Sequence, residues 1–94
     1  MDLEAVIETS KTQLTGALAR SGVPHITRQT TELIIKKDRV VGYVLAFSWD
    51  ATLDVSAVRR LLRIVKQAGG YGAVRSEAAP EGTRATLEVS FSLN

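Results

Sequence analysis

The side chains best suited to metal or acid–base chemistry in this sequence are a single histidine and a pair of carboxylates. His25 follows Pro24 and is the only histidine in a chain without cysteine, so a metal site would need carboxylates alone. No group of acidic residues has a spacing suited to such a site. We therefore expect a structural or surface role for His25, and we predict neither a metal nor any other cofactor.

Asp50 and Asp54 form the pair of carboxylates, and they lie close together at a predicted turn. Two carboxylates can divide acid and base work when a pocket moves their pKa values apart. Their position just before a helix fits N-capping better, because a carboxylate there accepts hydrogen bonds from free backbone N–H groups. The sequence thus predicts no catalytic residues, and we expect a protein that is not an enzyme.

The glycine-rich run AGGYG, from Ala68 to Gly72, is a second candidate for ligand binding. Glycines that precede a helix can cradle a phosphate. These glycines follow a predicted helix instead, where glycine commonly ends the helix. We interpret the run as a helix stop.

Basic side chains dominate the outer face of the predicted second helix. The net charge of the whole chain is only +2, which is a weak argument for an anionic partner. Such a face is most often simply solvated, and the functional alternative is contact with phosphates or with an acidic protein. In a nucleic-acid complex, Lys36, Lys37 and Arg39 would assist it. The residues of this basic face are Arg59, Arg60, Arg63 and Lys66.

Apolar periodicity divides the chain into six elements in the order αββαββ. Asp2 can cap a first helix that begins at Leu3, and Gly22 with Pro24 ends it. Alternation of apolar and polar residues then predicts two strands, a second helix that ends near Ala68, and two more strands. The strands are expected at about 30–36, 39–49, 71–78 and 83–93.

This order predicts a two-layer α+β sandwich, in which a mostly antiparallel four-stranded sheet carries both helices on one face. The 94 residues make one domain, 1–94. No apolar run approaches the ~18 residues of a membrane span, and we expect no membrane association. The first 20 residues lack the apolar core of a secretory signal and the chain lacks cysteine, so we expect a cytoplasmic protein.

Strand 39–49 carries the candidate interaction surface. One face of this strand is bulky and should meet the helices, with Val41, Tyr43, Leu45, Phe47 and Trp49. The other face is small but largely apolar, and we predict that it has little polar cover and binds a partner through Val40, Val44 and Ala46. In the alternative interpretation, long neighbours such as Arg75 and Arg84 shield it.

Residues 58–93 resemble the C-terminal end of the ATP-binding domain of sensor histidine kinases, the Bergerat fold. The shared features are Ile64-Val65-Lys66 on a helix, Gly69-Gly70, a strand with Ser76-Glu77, and a Gly82-Thr83 turn before an apolar last strand. The nucleotide-binding positions differ: the family's helical asparagines would fall near Thr12 and Gly16, and no Asp-x-Gly-x-Gly follows strand 39–49. The resemblance implies a shortened relative of that domain that does not bind nucleotide.

The function predicted from these observations is a non-enzymatic protein–protein interaction module, such as a small regulator, inhibitor or assembly subunit. We expect a homodimer or a larger complex formed through the sheet, because an uncovered face and free strand edges invite a partner. The alternative is nucleic-acid binding through the basic face of the second helix.

Overall fold

A computed structural model describes residues 2–93, and it contains six regular elements in the predicted order. The helix and strand boundaries agree with the sequence prediction to within two residues. The elements are α1 (Leu3–Ala19), β1 (Arg28–Lys36), β2 (Arg39–Trp49), α2 (Val55–Gln67), β3 (Tyr71–Ala79) and β4 (Gly82–Ser92).

An aspartate caps the start of each helix: Asp2 caps α1, as predicted, and of the two candidates for α2 it is Asp54 and not Asp50. The Asp2 carboxylate accepts hydrogen bonds from the backbone N–H groups of Glu4 and Ala5 at the start of α1. The Asp54 carboxylate accepts one from Ala57 N–H at 2.7 Å at the start of α2. Each carboxylate satisfies N–H groups that have no partner within the helix, and its negative charge suits the helix dipole there.

The four strands form one antiparallel sheet in the order β1-β2-β4-β3. β1 and β2 form one hairpin, and β3 and β4 form the other. The pairing of β2 with β4 joins the two hairpins. β1 and β3 are therefore the edge strands. The predicted α+β class, with a four-stranded antiparallel sheet and two helices, is confirmed.

The core lies between the helices and one face of the sheet. Leu14 and Leu18 of α1 and Leu61 and Val65 of α2 pack in one buried cluster with the bulky face of β2. Tyr43 also donates or accepts a hydrogen bond with Ser10 of α1, at 2.6 Å between the hydroxyl oxygens, which fixes the position of the helix over the strand. The buried residues that the sheet contributes are Tyr43, Leu45, Phe47, Trp49, Ala85, Leu87 and Val89.

A β-bulge in β2 changes which side chains share a face. Ile34 pairs with Gly42, but the next residue, Ile35, pairs with Val40, so Val41 is the extra residue. Directly paired residues project from the same side of a sheet, and residues beyond a bulge change sides relative to the simple alternation. The prediction that Val40 shares a face with Val44 is therefore wrong: Val40 lies on the helix side, next to Ile35.

Gly42, next to the bulge, allows β2 to pair closely with β4 on its other side. A Cβ atom at this position would lie 2.4 Å from the carbonyl oxygen of Phe91 on β4, which is closer than any real contact. Glycine within a strand commonly marks such a close approach of two backbones.

The β1–β2 turn holds two residues in a left-handed conformation. Lys37 has φ of 51° and Asp38 has φ of 63°. A two-residue hairpin turn with positive φ at both positions matches the twist of the flanking strands, and Asn-Gly suits it best. A lysine in this conformation costs roughly 1–2 kcal/mol because its Cβ approaches the following carbonyl oxygen. The hairpin therefore carries local strain.

Replacing this turn with Lys37→Asn and Asp38→Gly should relieve that strain. We expect the free energy of unfolding to rise by about 1 kcal/mol, since asparagine and glycine adopt positive φ more readily. Urea unfolding followed by circular dichroism measures the change. Asp38→Ala is the control, because it keeps a side chain at positive φ and should not stabilise the chain. Equal or lower stability of the Asn-Gly variant would contradict the strain at this turn.

Candidate functional site

The open face of the sheet is the surface that the sequence prediction singled out, and it has more polar cover than predicted. Val44 lies between Glu32 of β1 and Ser90 of β4, and Ala46 lies next to Glu88. Both apolar side chains are only partly exposed. The prediction of little polar cover on this face is wrong because β2 is a central strand whose neighbours on both sides carry longer polar side chains.

Ion pairs across the open face support the alternative interpretation, in which long side chains shield it. Arg75 of β3 pairs with Glu88 of β4, with a nitrogen–oxygen distance of 2.9 Å. Arg84 lies 3.6 Å from the carboxylate of Asp50, beyond the end of β2. Arginines and acids alternate over the face, so it presents no strong charge of either sign.

Two hydroxyl groups form the floor of the open face. Ser48 and Thr86 lie opposite each other on the central strands, and their hydroxyl oxygens are 3.1 Å apart. Both residues are buried although they point away from the helices. Arg28 and Arg75 continue the same row on the two edge strands. This row is a polar contact surface, and its one hydroxyl pair supplies no general base.

The hairpin of β1 and β2 exposes apolar side chains on the helix side of the sheet. Ile35 is 61% exposed, Leu33 is 45% exposed and Val40 is 37% exposed. Leu33 and Ile35 are next-but-one neighbours on β1, and Ile35 pairs directly with Val40, so the three project from the same side. We call this set, Leu33, Ile35 and Val40, the hairpin patch. Each of the three keeps more than a third of its surface exposed within residues 2–93.

The backbone of β1 is also available to a partner. In a two-residue hairpin the residues next to the turn, here Lys36 and Arg39, form a hydrogen-bonded pair. Alternation along the strand then directs the N–H and C=O groups of Leu33 and Ile35 away from β2. Because β1 is an edge strand, these groups face no other strand within residues 2–93. Exposed apolar side chains thus coincide with a free strand edge.

The basic face of α2 is exposed, as the sequence predicts, and one residue from α1 extends it. The side chains of Arg59, Arg60, Arg63 and Lys66 are all exposed. Arg60 and Arg63 line a shallow groove between the helices, and Arg20 at the end of α1 lines the same groove. Among residues 2–93, none of the three arginines of this groove takes part in an ion pair. The lining of this groove has three arginines and no acidic residue.

Aromatic side chains do not accompany this basic groove. Trp49 is completely buried in the core. Tyr71 is 84% exposed, but it pairs with Ser90 and therefore lies on the open face, on the side of the sheet opposite the helices. Trp49 is thus a core residue, and Tyr71 is the exposed first residue of an edge strand.

The remaining candidate residues have structural or surface positions. His25 is exposed in the loop between α1 and β1. No group of three or more residues with metal-binding side chains occurs within residues 2–93. Gly69 has φ of 82° and ends α2, and its N–H donates to the carbonyl oxygen of Lys66 at 3.1 Å. The glycine run is a helix stop, as predicted.

The sequence prediction missed Leu33, Ile35 and Arg20. Leu33-Ile34-Ile35 is a run of three apolar residues in which alternation is lost, so both faces of this strand are apolar. Such a run indicates a strand covered on both sides or an edge that a partner covers. This signal was present in the sequence. Arg20 gave no signal, because its approach to α2 depends on how the helices pack.

Comparisons with models of known protein families, with curated proteins and with solved structures found no match. The stretch that resembles the histidine-kinase ATPase domain forms α2, β3 and β4, and that resemblance stays a prediction. Within residues 2–93, no helix has the length and apolar character needed to cross a membrane.

Proposed function

We propose that this chain is a protein–protein interaction module that binds its partner through the hairpin patch and the adjoining edge of β1. The observation that carries the proposal is the coincidence of the two features: Leu33, Ile35 and Val40 are exposed beside a strand whose backbone faces no neighbour. Apolar surface next to a free strand edge is a common binding site for another chain.

The energetics of the hairpin patch support this role. Complete burial of a leucine or isoleucine side chain contributes about 1.5–3 kcal/mol relative to full exposure. In the single chain, Ile35 and Leu33 contribute only about half of this burial free energy, since 61% and 45% of their surfaces remain exposed. A partner that covers these two side chains would gain the remaining burial free energy, and it would also form hydrogen bonds with the backbone of β1. The neutral open face offers no comparable gain.

Crosslinking in cells tests this proposal without knowledge of the partner. We expect the epitope-tagged chain to give discrete crosslinked products with formaldehyde, and the variant Leu33→Thr with Ile35→Thr to lose them by roughly tenfold, because apolar contact area is removed. Threonine keeps the strand propensity of these positions. Immunoblotting against the tag measures the yield of each product.

Val55→Thr is the matched control. Val55 is 67% exposed at the start of α2, outside the hairpin patch, so its substitution removes similar apolar surface and should leave the products unchanged. Circular dichroism establishes that both variants are folded. If the wild-type chain gives no crosslinked product, or if the double variant keeps the products, the hairpin patch is not a protein-binding site.

Nucleic-acid binding is the second candidate function, and the groove between the helices favours it. Arg20 joins Arg60 and Arg63 there, and none of the three is neutralised by an ion pair within residues 2–93. Three guanidinium groups around one concave surface can contact successive phosphates. The basic face of α2 would extend the contact through Arg59 and Lys66.

Salt dependence tests this second candidate. If the groove binds phosphates, affinity for a fluorescent oligonucleotide should fall steeply between about 50 and 200 mM salt. Arg60→Gln with Arg63→Gln should reduce the slope of log affinity against log salt by roughly two, since each phosphate contact contributes about 0.7–0.9. Arg28→Gln on the open face is the control. Absence of binding at low salt in fluorescence anisotropy would exclude this function.

A further inference from the structure

We propose that the partner of β1 is a second copy of the same chain, paired antiparallel through β1 so that Ile34 faces Ile34 of the second copy at the twofold axis. The inference rests on the proposed function and deepens it, because it names the occupant of the hairpin patch and the register of the contact. The two sheets would join into one, with all four helices on the same side.

The backbone of β1 restricts how two copies can pair. Residues that face each other must project from the same side of the joined sheet, so odd-numbered residues pair with odd and even with even. Leu33 and Ile35 direct their backbone groups outward and would form the hydrogen-bonded pairs. Ile34 and its even-numbered neighbours would form the pairs without backbone hydrogen bonds, in which side chains approach most closely.

Centring the contact on Ile34 matches apolar with apolar side chains. Leu33 of one copy then faces Ile35 of the second copy, and the symmetry repeats this pair. Ile34 faces Ile34 of the second copy, and these two side chains lie on the open face of the joined sheet. Leu33 and Ile35, the two most exposed apolar residues of β1, are thus covered in both copies, and Val40 lies next to Ile35.

The same register also matches opposite charges. Glu32 faces Lys36 of the second copy, and Lys36 faces Glu32 of the second copy. Within its own chain, Lys36 lies directly opposite Arg39, and a like-charge pair at this position is unfavourable. Neither Glu32 nor Lys36 takes part in an ion pair within residues 2–93. A second copy would supply each of them with an opposite charge.

Other registers lack this combined match. Centring on Glu32 places two carboxylates against each other at the axis, and centring on Leu33 places Glu32 opposite Ile34. Centring on Thr30 pairs Arg28 with Glu32 of the second copy but leaves Ile35 uncovered. Only the register centred on Ile34 satisfies both the apolar side chains and the charges.

The second edge strand is less suited to self-pairing. The helix side of β3 is made of small residues and its outer side alternates in charge, with Arg75 already paired to Glu88. Tyr71 is its one large exposed hydrophobic residue. We therefore expect a dimer through β1 and not a chain of sheets that grows from both edges.

Charge exchange at the two ends of the contact tests the register. Light scattering and sedimentation should show a dimer as the protein concentration is raised towards about 1 mM. A high concentration is needed because a contact between two strands is small and its dissociation constant is correspondingly high. Glu32→Lys and Lys36→Glu, each alone, should weaken the dimer by roughly tenfold, because each places like charges opposite each other twice. The double variant should restore it.

The controls separate this contact from other ones. Lys36→Glu removes the like-charge contact with Arg39 and so should not destabilise the monomer, which circular dichroism checks. Tyr71→Arg, on the opposite edge strand β3, should leave the dimer intact. A chain that is monomeric at every concentration, single variants that dimerise like the wild type, or a double variant that is not rescued would each overturn the proposal.

The two experiments together distinguish failure of self-pairing from failure of the proposed function. If the purified chain is a monomer while crosslinking in cells still gives products that depend on Leu33 and Ile35, the hairpin patch binds a different protein and the self-pairing is wrong. If neither experiment gives an associated species, both are wrong.

Discussion

The antiparallel pairing of β2 with β4 is the contact on which the rest of the structure depends. Within residues 2–93 it is the only strand pairing that joins the two hairpins, and it runs from Gly42 and Ser92 at one end to Trp49 and Ala85 at the other. The most buried side chains of the sheet lie on these two strands. The pairing requires glycine at position 42, where the carbonyl oxygen of Phe91 leaves no space for a side chain.

This central pairing determines which surfaces remain uncovered. With β2 and β4 in the middle, the helices pack over the core and over β3, where Leu62 and Val65 of α2 approach Gly72. β1 lies at the edge of the sheet. Leu33 and Ile35 are exposed for this reason, although they are as apolar as the residues of the core. The open face, by contrast, carries alternating charges that neutralise each other and shield Val44 and Ala46.

The helices and strands could be predicted from the sequence because their signals are local. Asp2 and Asp54 act within one helical turn, and alternation along residues 39–49 needs only the strand itself. Strand order could not be predicted, since alternation shows which side chains share a face but not which strand lies alongside. The bulge at Val41 arises from contact between two strands, so Val40 was assigned to the wrong face. The interaction surface was expected around Val44 because alternation within β2 does not show that polar side chains of β1 and β4 lie beside it.

The most direct test of pairing between two copies through β1 is disulfide formation by the single-cysteine variant Ile34→Cys. The chain has no cysteine of its own, so any disulfide must join two copies. At the proposed axis the two Cα atoms would lie about 4.5 Å apart, within the range that a disulfide spans. Tyr71→Cys, on the opposite edge strand at a position 84% exposed, serves as the reference. We expect Ile34→Cys to form a disulfide-linked dimer much faster than Tyr71→Cys under mild oxidation. Equal or slower crosslinking of Ile34→Cys would contradict pairing through β1.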